Sequence, residues 1–78
     1  MVTKLPSQRF TVLLRQLRKE RGLSQEVLAE RAGLHRNFIS LIERGESQPT
    51  IDTLFRLADA LGVPAVDLVG HISGDEER

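Results

Sequence analysis

The sequence predicts an all-α domain of five short helices. Three observations predict it: every stretch with a clear hydrophobic period has the helical spacing, none alternates as a strand would, and a glycine follows each of the first four such stretches (Gly22, Gly33, Gly45, Gly62). Seventy-eight residues suit one core and no more. A chain of this size buries roughly 60% of its unfolded surface, which leaves no room for a deep catalytic cleft.

Phe10, Leu13, Leu14 and Leu17 fall at i, i+3, i+4 and i+7, with Ser7 ahead of them as an N-cap, so the first helix is expected from about Gln8 to Arg21. Gly22 closes it in the left-handed conformation. Ser24 caps the second, with Val27 where a capping box would place Glu or Gln, and that helix ends at Gly33. The third starts near His35 and ends at Gly45; Leu34, Phe38, Ile39 and Ile42 give it one apolar side. Pro49 disfavours helix at Gln48, and Thr50 caps a fourth helix whose apolar side is Ile51, Leu54, Phe55, Leu57, Ala58 and Leu61. Pro64 opens a short fifth carrying Val66, Leu68 and Val69. Residues 1–6 read as an N-terminal arm, 7–69 as the folded domain, and 70–78, "GHISGDEER", as a disordered tail with little to bury.

No Cys is present, which excludes disulfides, thiolate metal ligands and thiol nucleophiles and fits a reducing cytoplasm. Neither a secretory signal nor an apolar run of membrane-spanning length is visible, so a cytoplasmic protein without membrane partners is expected. The formal net charge of zero conceals an asymmetry: residues 1–44 carry nine Lys/Arg and four Glu, a net +5, while residues 45–78 carry a net −5. Such a division offers a basic face to a polyanion and an acidic back.

Between Gln25 and Arg44 the apolar positions are Leu28, Leu34, Ile39 and Ile42, with the small Ala29 between the helices and Gly33 in the turn. A tight connection near a right angle needs these features: a residue tolerant of positive φ, a small side chain at the crossing, and an apolar inner face on each helix. They make a helix-turn-helix.

Leu23 to Val63, "LSQEVLAERAGLHRNFISLIERGESQPTIDTLFRLADALGV", resembles the helix-turn-helix domain of the phage-repressor (Xre/Cro) family of transcription regulators. The resemblance lies in "LSQ", in "LAERAG" through the turn, in the "IS" and "IERG" that leave the third helix, and in the "TL", "LA" and "ALGV" that follow the proline. It implies a five-helix, lambda-repressor-like DNA-binding domain, and the length and "GLHRNFIS" are similar to the controller proteins of restriction-modification systems.

With Leu34, Ile39 and Ile42 packed inward, the outer face of the third helix carries Arg36, Asn37, Ser40, Leu41 and Arg44. Arg36 can donate two hydrogen bonds to guanine O6 and N7, and Asn37 can pair both ways with adenine N6 and N7. Ser40 and Leu41, the latter through a thymine methyl, complete the base-reading candidates; Phe38 stands between core and groove. Gln25, at an electropositive helix N-terminus, is a phosphate candidate. Arg44, Ser47 and Gln48 match positions that touch the DNA backbone in the family, and Arg15 and Lys19 can add diffuse attraction. The resemblance also implies that Glu43, a carboxylate on a DNA-facing helix, forms a structural ion pair with Arg18.

A single module reads few base pairs, and the fourth helix is apolar over more of its circumference than one core demands. By analogy with small family members, a homodimer is expected through Phe55, Val66 and Val69, bound to double-stranded operator DNA. An antitoxin-type protein-interaction module with autoregulatory DNA binding is the alternative, although the short tail lacks an amphipathic segment to wrap a partner. An enzyme is disfavoured by the lack of paired catalytic groups or a phosphate loop. His35 and His71 do not suggest a metal site, no cofactor is expected, and nothing remains to form a sensor for a small-molecule effector.

Overall fold

Leu14, Leu28, Ile39, Ile42, Leu57 and Leu68 are each at most 1% exposed, and together they represent all five helices of the described residues. The computed structural model describes residues 5–73. Its helices are α1 (Pro6–Glu20), α2 (Gln25–Ala32), α3 (Arg36–Glu43), α4 (Ile51–Leu61) and α5 (Ala65–Ser73). α1 packs on α3 and α5, α2 on α3 and α4, and α4 on α5. Phe10, Ala29, Ala32, Ala58 and Leu61 fill the rest of the core. No strand occurs among the described residues.

The caps decide where the helices begin. Ser24 Oγ accepts the Val27 N–H at 3.0 Å and Thr50 Oγ1 accepts the Thr53 N–H at 3.1 Å, each satisfying a donor that the helix start leaves free. α1 departs from expectation. Leu5, not Ser7, is the N-cap, because Pro6 at the first helical position loses no needed N–H and has its φ set for helix. Gln8 Oε1 turns back to accept the Leu5 N–H at 2.9 Å.

α3 stops at Glu43, two residues before the glycine expected to end it, and Gly45 takes φ +76° in the turn that follows. α5 runs further than predicted, to Ser73, so the folded part does not stop at Val69. Ile72 packs on the core, and its carbonyl accepts a 2.9 Å hydrogen bond from Arg9 Nη1. One apolar side chain and one anchored carbonyl hold the extra turn, a pairing across 63 residues that local composition does not reveal. The remainder of the expected tail, 74–78, and residues 1–4 of the expected arm lie outside the described residues.

Candidate nucleic-acid interface

The direction of α3 is set at the end of α2. Gly33 adopts φ +69°, ψ 34°, the left-handed conformation; its N–H donates to Glu30 O at 3.2 Å and the Leu34 N–H to Ala29 O at 2.8 Å. This double closure satisfies the last carbonyls of α2 and turns the chain sharply. Arg56 of α4 reaches the same turn, its Nη1 3.5 Å from Gly33 O. Ala29 and Ala32 are buried, and their small side chains let the helices of the turn approach closely.

α3 then divides by face. Ile39, Ile42 and Glu43 are buried, whereas Arg36 and Asn37 are exposed at its N-terminal end. Ser40 and Leu41 are half-buried along the flank. Phe38 is half-buried against the core, the side of its two expected placements that the packing favours. Arg44 lies exposed just past the helix and pairs with Glu46 at 3.7 Å. Ser47 is half-buried and Gln48 exposed; with Ser7, Gln8, Thr11 and Gly45 they line a recess of about 40 Å³ between α1 and the loop after α3.

The far end of α3 is fixed to α1. Arg18 grips Glu43 with two hydrogen bonds, Nε to Oε2 at 2.6 Å and Nη2 to Oε1 at 3.0 Å, and spends Nη1 on the Leu23 carbonyl at 2.8 Å. Gln25 Nε2 adds a third donor to Glu43 Oε1 at 3.0 Å, and Arg15 Nε stands 3.8 Å away. Burial pushes the Glu43 carboxyl upward, but hydrogen bonds from Arg18 and Gln25 and the charges of Arg18 and Arg15 outweigh it, holding the group below its ordinary value. The hydrogen bond to Glu43 raises Arg18 further, against its own desolvation. Thr11 Oγ1 donates to the Ile42 carbonyl at 3.0 Å, and Arg15 Nη2 lies 3.5 Å from the Glu43 carbonyl, so α1 also satisfies the C-terminal end of α3. Removed from solvent in this way, Glu43 presents no charge to the outer face.

Two contacts escaped the sequence reading. Gln25, a phosphate candidate by sequence, also commits its amide to Glu43. Glu26, to which the sequence gives no role, places its Oε2 3.4 Å from Arg36 Nε. Both contacts cross between elements at separations without a periodic signature. The only local hint for Glu26 is an acidic residue in the first turn of the helix before the cation.

Away from this face, Phe55 (55% exposed), Val66 (72%) and Val69 (44%) leave an apolar surface on α4 and α5, which Ile51 extends. Among the described residues no group of His, Cys, Asp or Glu could hold a metal ion, and no helix is long and apolar enough to cross a membrane.

Residues 14–68 match the helix-turn-helix family HTH_3. The chain is 49% identical over 53 residues to the HTH-type transcriptional regulator y4dJ of Sinorhizobium fredii, covering 68% of this chain and 69% of that protein. It is 47% identical over 55 residues to the HTH-type transcriptional regulator SutR of Escherichia coli, covering 70% of this chain but 31% of SutR, so it spans about a third of that relative. Its fold is similar to the crystal structure of the restriction-modification controller protein C.AhdI from Aeromonas hydrophila, with a TM-score of 0.74 and 38% identity over 77% of this chain and 91% of the other.

Proposed function

The chain belongs to the HTH_3 helix-turn-helix family, and from that premise we propose that it is a DNA-binding transcription regulator that works as a cytoplasmic homodimer on a two-fold operator. The observation that carries this reading is the exposed N-terminal end of α3. There Arg36 and Asn37, the two side chains best suited to bidentate base recognition, stand free of the core while the rest of the helix is anchored behind them. Arg36, Asn37, Ser40 and Leu41 read base edges in the major groove. Gln25, Arg44, Ser47 and Gln48 hold phosphates and fix the register.

The apolar surface of Phe55, Val66 and Val69 joins two copies and sets two recognition helices about one turn of DNA, roughly 34 Å, apart. Occupancy, and hence promoter activity, follows protein concentration. The likeness to C.AhdI favours a controller of a restriction-modification system within this class.

The test is in vitro selection of duplexes from a randomised library, followed by titration of the preferred duplex and a scrambled one. A symmetric preferred site bound about a thousandfold more tightly than scrambled DNA supports the reading. Equal, weak, purely salt-dependent binding to both overturns it.

A further inference from the structure

The Arg36 guanidinium at the start of α3 is leashed from the neighbouring helix. Glu26, second residue of α2, reaches across the turn to bring Oε2 within 3.4 Å of Arg36 Nε. The Arg36 and Glu26 side chains are 53% and 68% exposed, and an exposed pair of this kind adds little to stability. Arg44 pairs with Glu46 only two residues on, a local contact; the Glu26 contact joins the two helices of the recognition unit.

We infer that Glu26 is a positioning residue that sets the specificity of Arg36, an inference that rests on reading α3 as the base-reading helix. A guanidinium offers five N–H groups in a fixed fork. Holding Nε toward Glu26 leaves Nη1 and Nη2, the end of the fork, to donate together to guanine O6 and N7. The carboxylate also acts on the wrong partners. A phosphate approaching Arg36 meets Glu26 as a like charge, whereas a guanine edge offers neutral acceptors and is penalised far less. Glu26 therefore lowers the affinity of Arg36 for the backbone and keeps it for the base, specificity obtained by repelling the competitor.

The experiment uses the duplex selected on the wild-type chain, its single-base variants, and a scrambled duplex, with Glu26→Gln, Glu26→Asp, Arg36→Ala and the double variant Glu26→Gln/Arg36→Ala. Glu26→Gln is expected to lose about tenfold in discrimination at the one base pair where Arg36→Ala loses it. It should also bind scrambled DNA more tightly at low salt, with a steeper salt dependence. In the Arg36→Ala background the same change should do nothing at that base pair. Glu26→Asp, which keeps the charge at the start of α2 but shortens the reach, should fall between wild type and Glu26→Gln at unchanged Tm. The ¹⁵N shift of Arg36 Nε is expected to move in Glu26→Gln without DNA. Full discrimination in Glu26→Gln, with loss in Arg36→Ala, overturns this inference alone. If Arg36→Ala also keeps every base preference, or no preferred duplex emerges, the reading of α3 falls and the inference with it.

Discussion

Arg18 and Glu43 form a bidentate ion pair, at 2.6 and 3.0 Å, that is 11% exposed on the arginine side chain and fully buried on the carboxylate. It joins the last turn of α1 to the last residue of α3. Its position explains how an acidic residue is tolerated on the helix proposed to approach a polyanion: the charge faces inward. Removing one member strands the other charge in the interior. Glu43→Gln should cost about 3 kcal/mol, a fall in Tm of about 12–24 °C for a domain of this size. Urea and thermal unfolding measure it; a Tm within about 3 °C of wild type would contradict the structural role.

The same pair makes stability acid-sensitive. Glu43 has its folded-state pKa held below the ordinary 4.5, because hydrogen bonds and cations outweigh the upward push of burial. The unfolded chain therefore takes up a proton here more readily than the folded one. The contribution is fully present above about pH 4.5 and is lost as pH falls through the lower folded value. Urea midpoints measured from about pH 7 down to about pH 3 should show this loss in the wild type, and the loss should be smaller in Glu43→Gln.

Two glycines should respond in opposite directions. Gly33 has φ +69°, and an added Cβ would also lie 3.3 Å from Arg56 Nη1, the movable end of a long side chain. Strain in the backbone dominates, so Gly33→Ala should cost about 1–2 kcal/mol and misdirect α3. Gly70 lies within α5 with nothing within 4 Å of an added Cβ. Gly70→Ala should stabilise by about 0.5–1 kcal/mol, since alanine is the better helix former. No change at Gly70 would mean that α5 ends before it.

These glycines mark what was legible in the sequence. Gly33 and Gly62, and the caps Ser24 and Thr50, are local signals, because a turn or a cap is written in the residues that form it, and from them the order of the five helices could be read. The extra turn of α5 could not, since Ile72 is held by Arg9 from the opposite end of the chain. The site divides along the same line. The periodicity of Leu34, Ile39 and Ile42 was enough to turn Arg36 and Asn37 outward, but the contacts of Glu26 with Arg36 and Gln25 with Glu43 depend on how α2 crosses its neighbours. That crossing is a tertiary property.

Dimerisation is tested on the apolar surface of α4 and α5. Phe55 and Val66 are 55% and 72% exposed, so changing them to Glu leaves the core intact. Phe55→Glu/Val66→Glu should fold with a nearly unchanged Tm, as surface substitutions away from a core do. Sedimentation should find it monomeric at concentrations where the wild type is dimeric, and it should bind a single half-site weakly. A wild-type chain that stays monomeric at high micromolar concentration would remove the dimer from the proposal.

Base readers and phosphate holders should fail differently. Arg36→Ala or Asn37→Ala removes a side chain able to make two hydrogen bonds to one base, the arginine as donor of both and the asparagine as donor and acceptor, and is expected to cost about 1–3 kcal/mol at one base pair of the preferred duplex, leaving scrambled DNA almost unaffected. Arg44→Ala removes a cation proposed to meet the backbone. It should weaken binding to all duplexes alike and make the log–log salt slope shallower by about one. All three residues are exposed, so circular dichroism and Tm should be unchanged and the losses belong to binding. Titrating the three variants against matched, single-mismatch and scrambled duplexes at several salt concentrations separates the classes. If Arg44→Ala alters the preference at a single base pair, or Arg36→Ala changes only the salt slope, the assigned roles are reversed and the helix docks in the groove at a different angle.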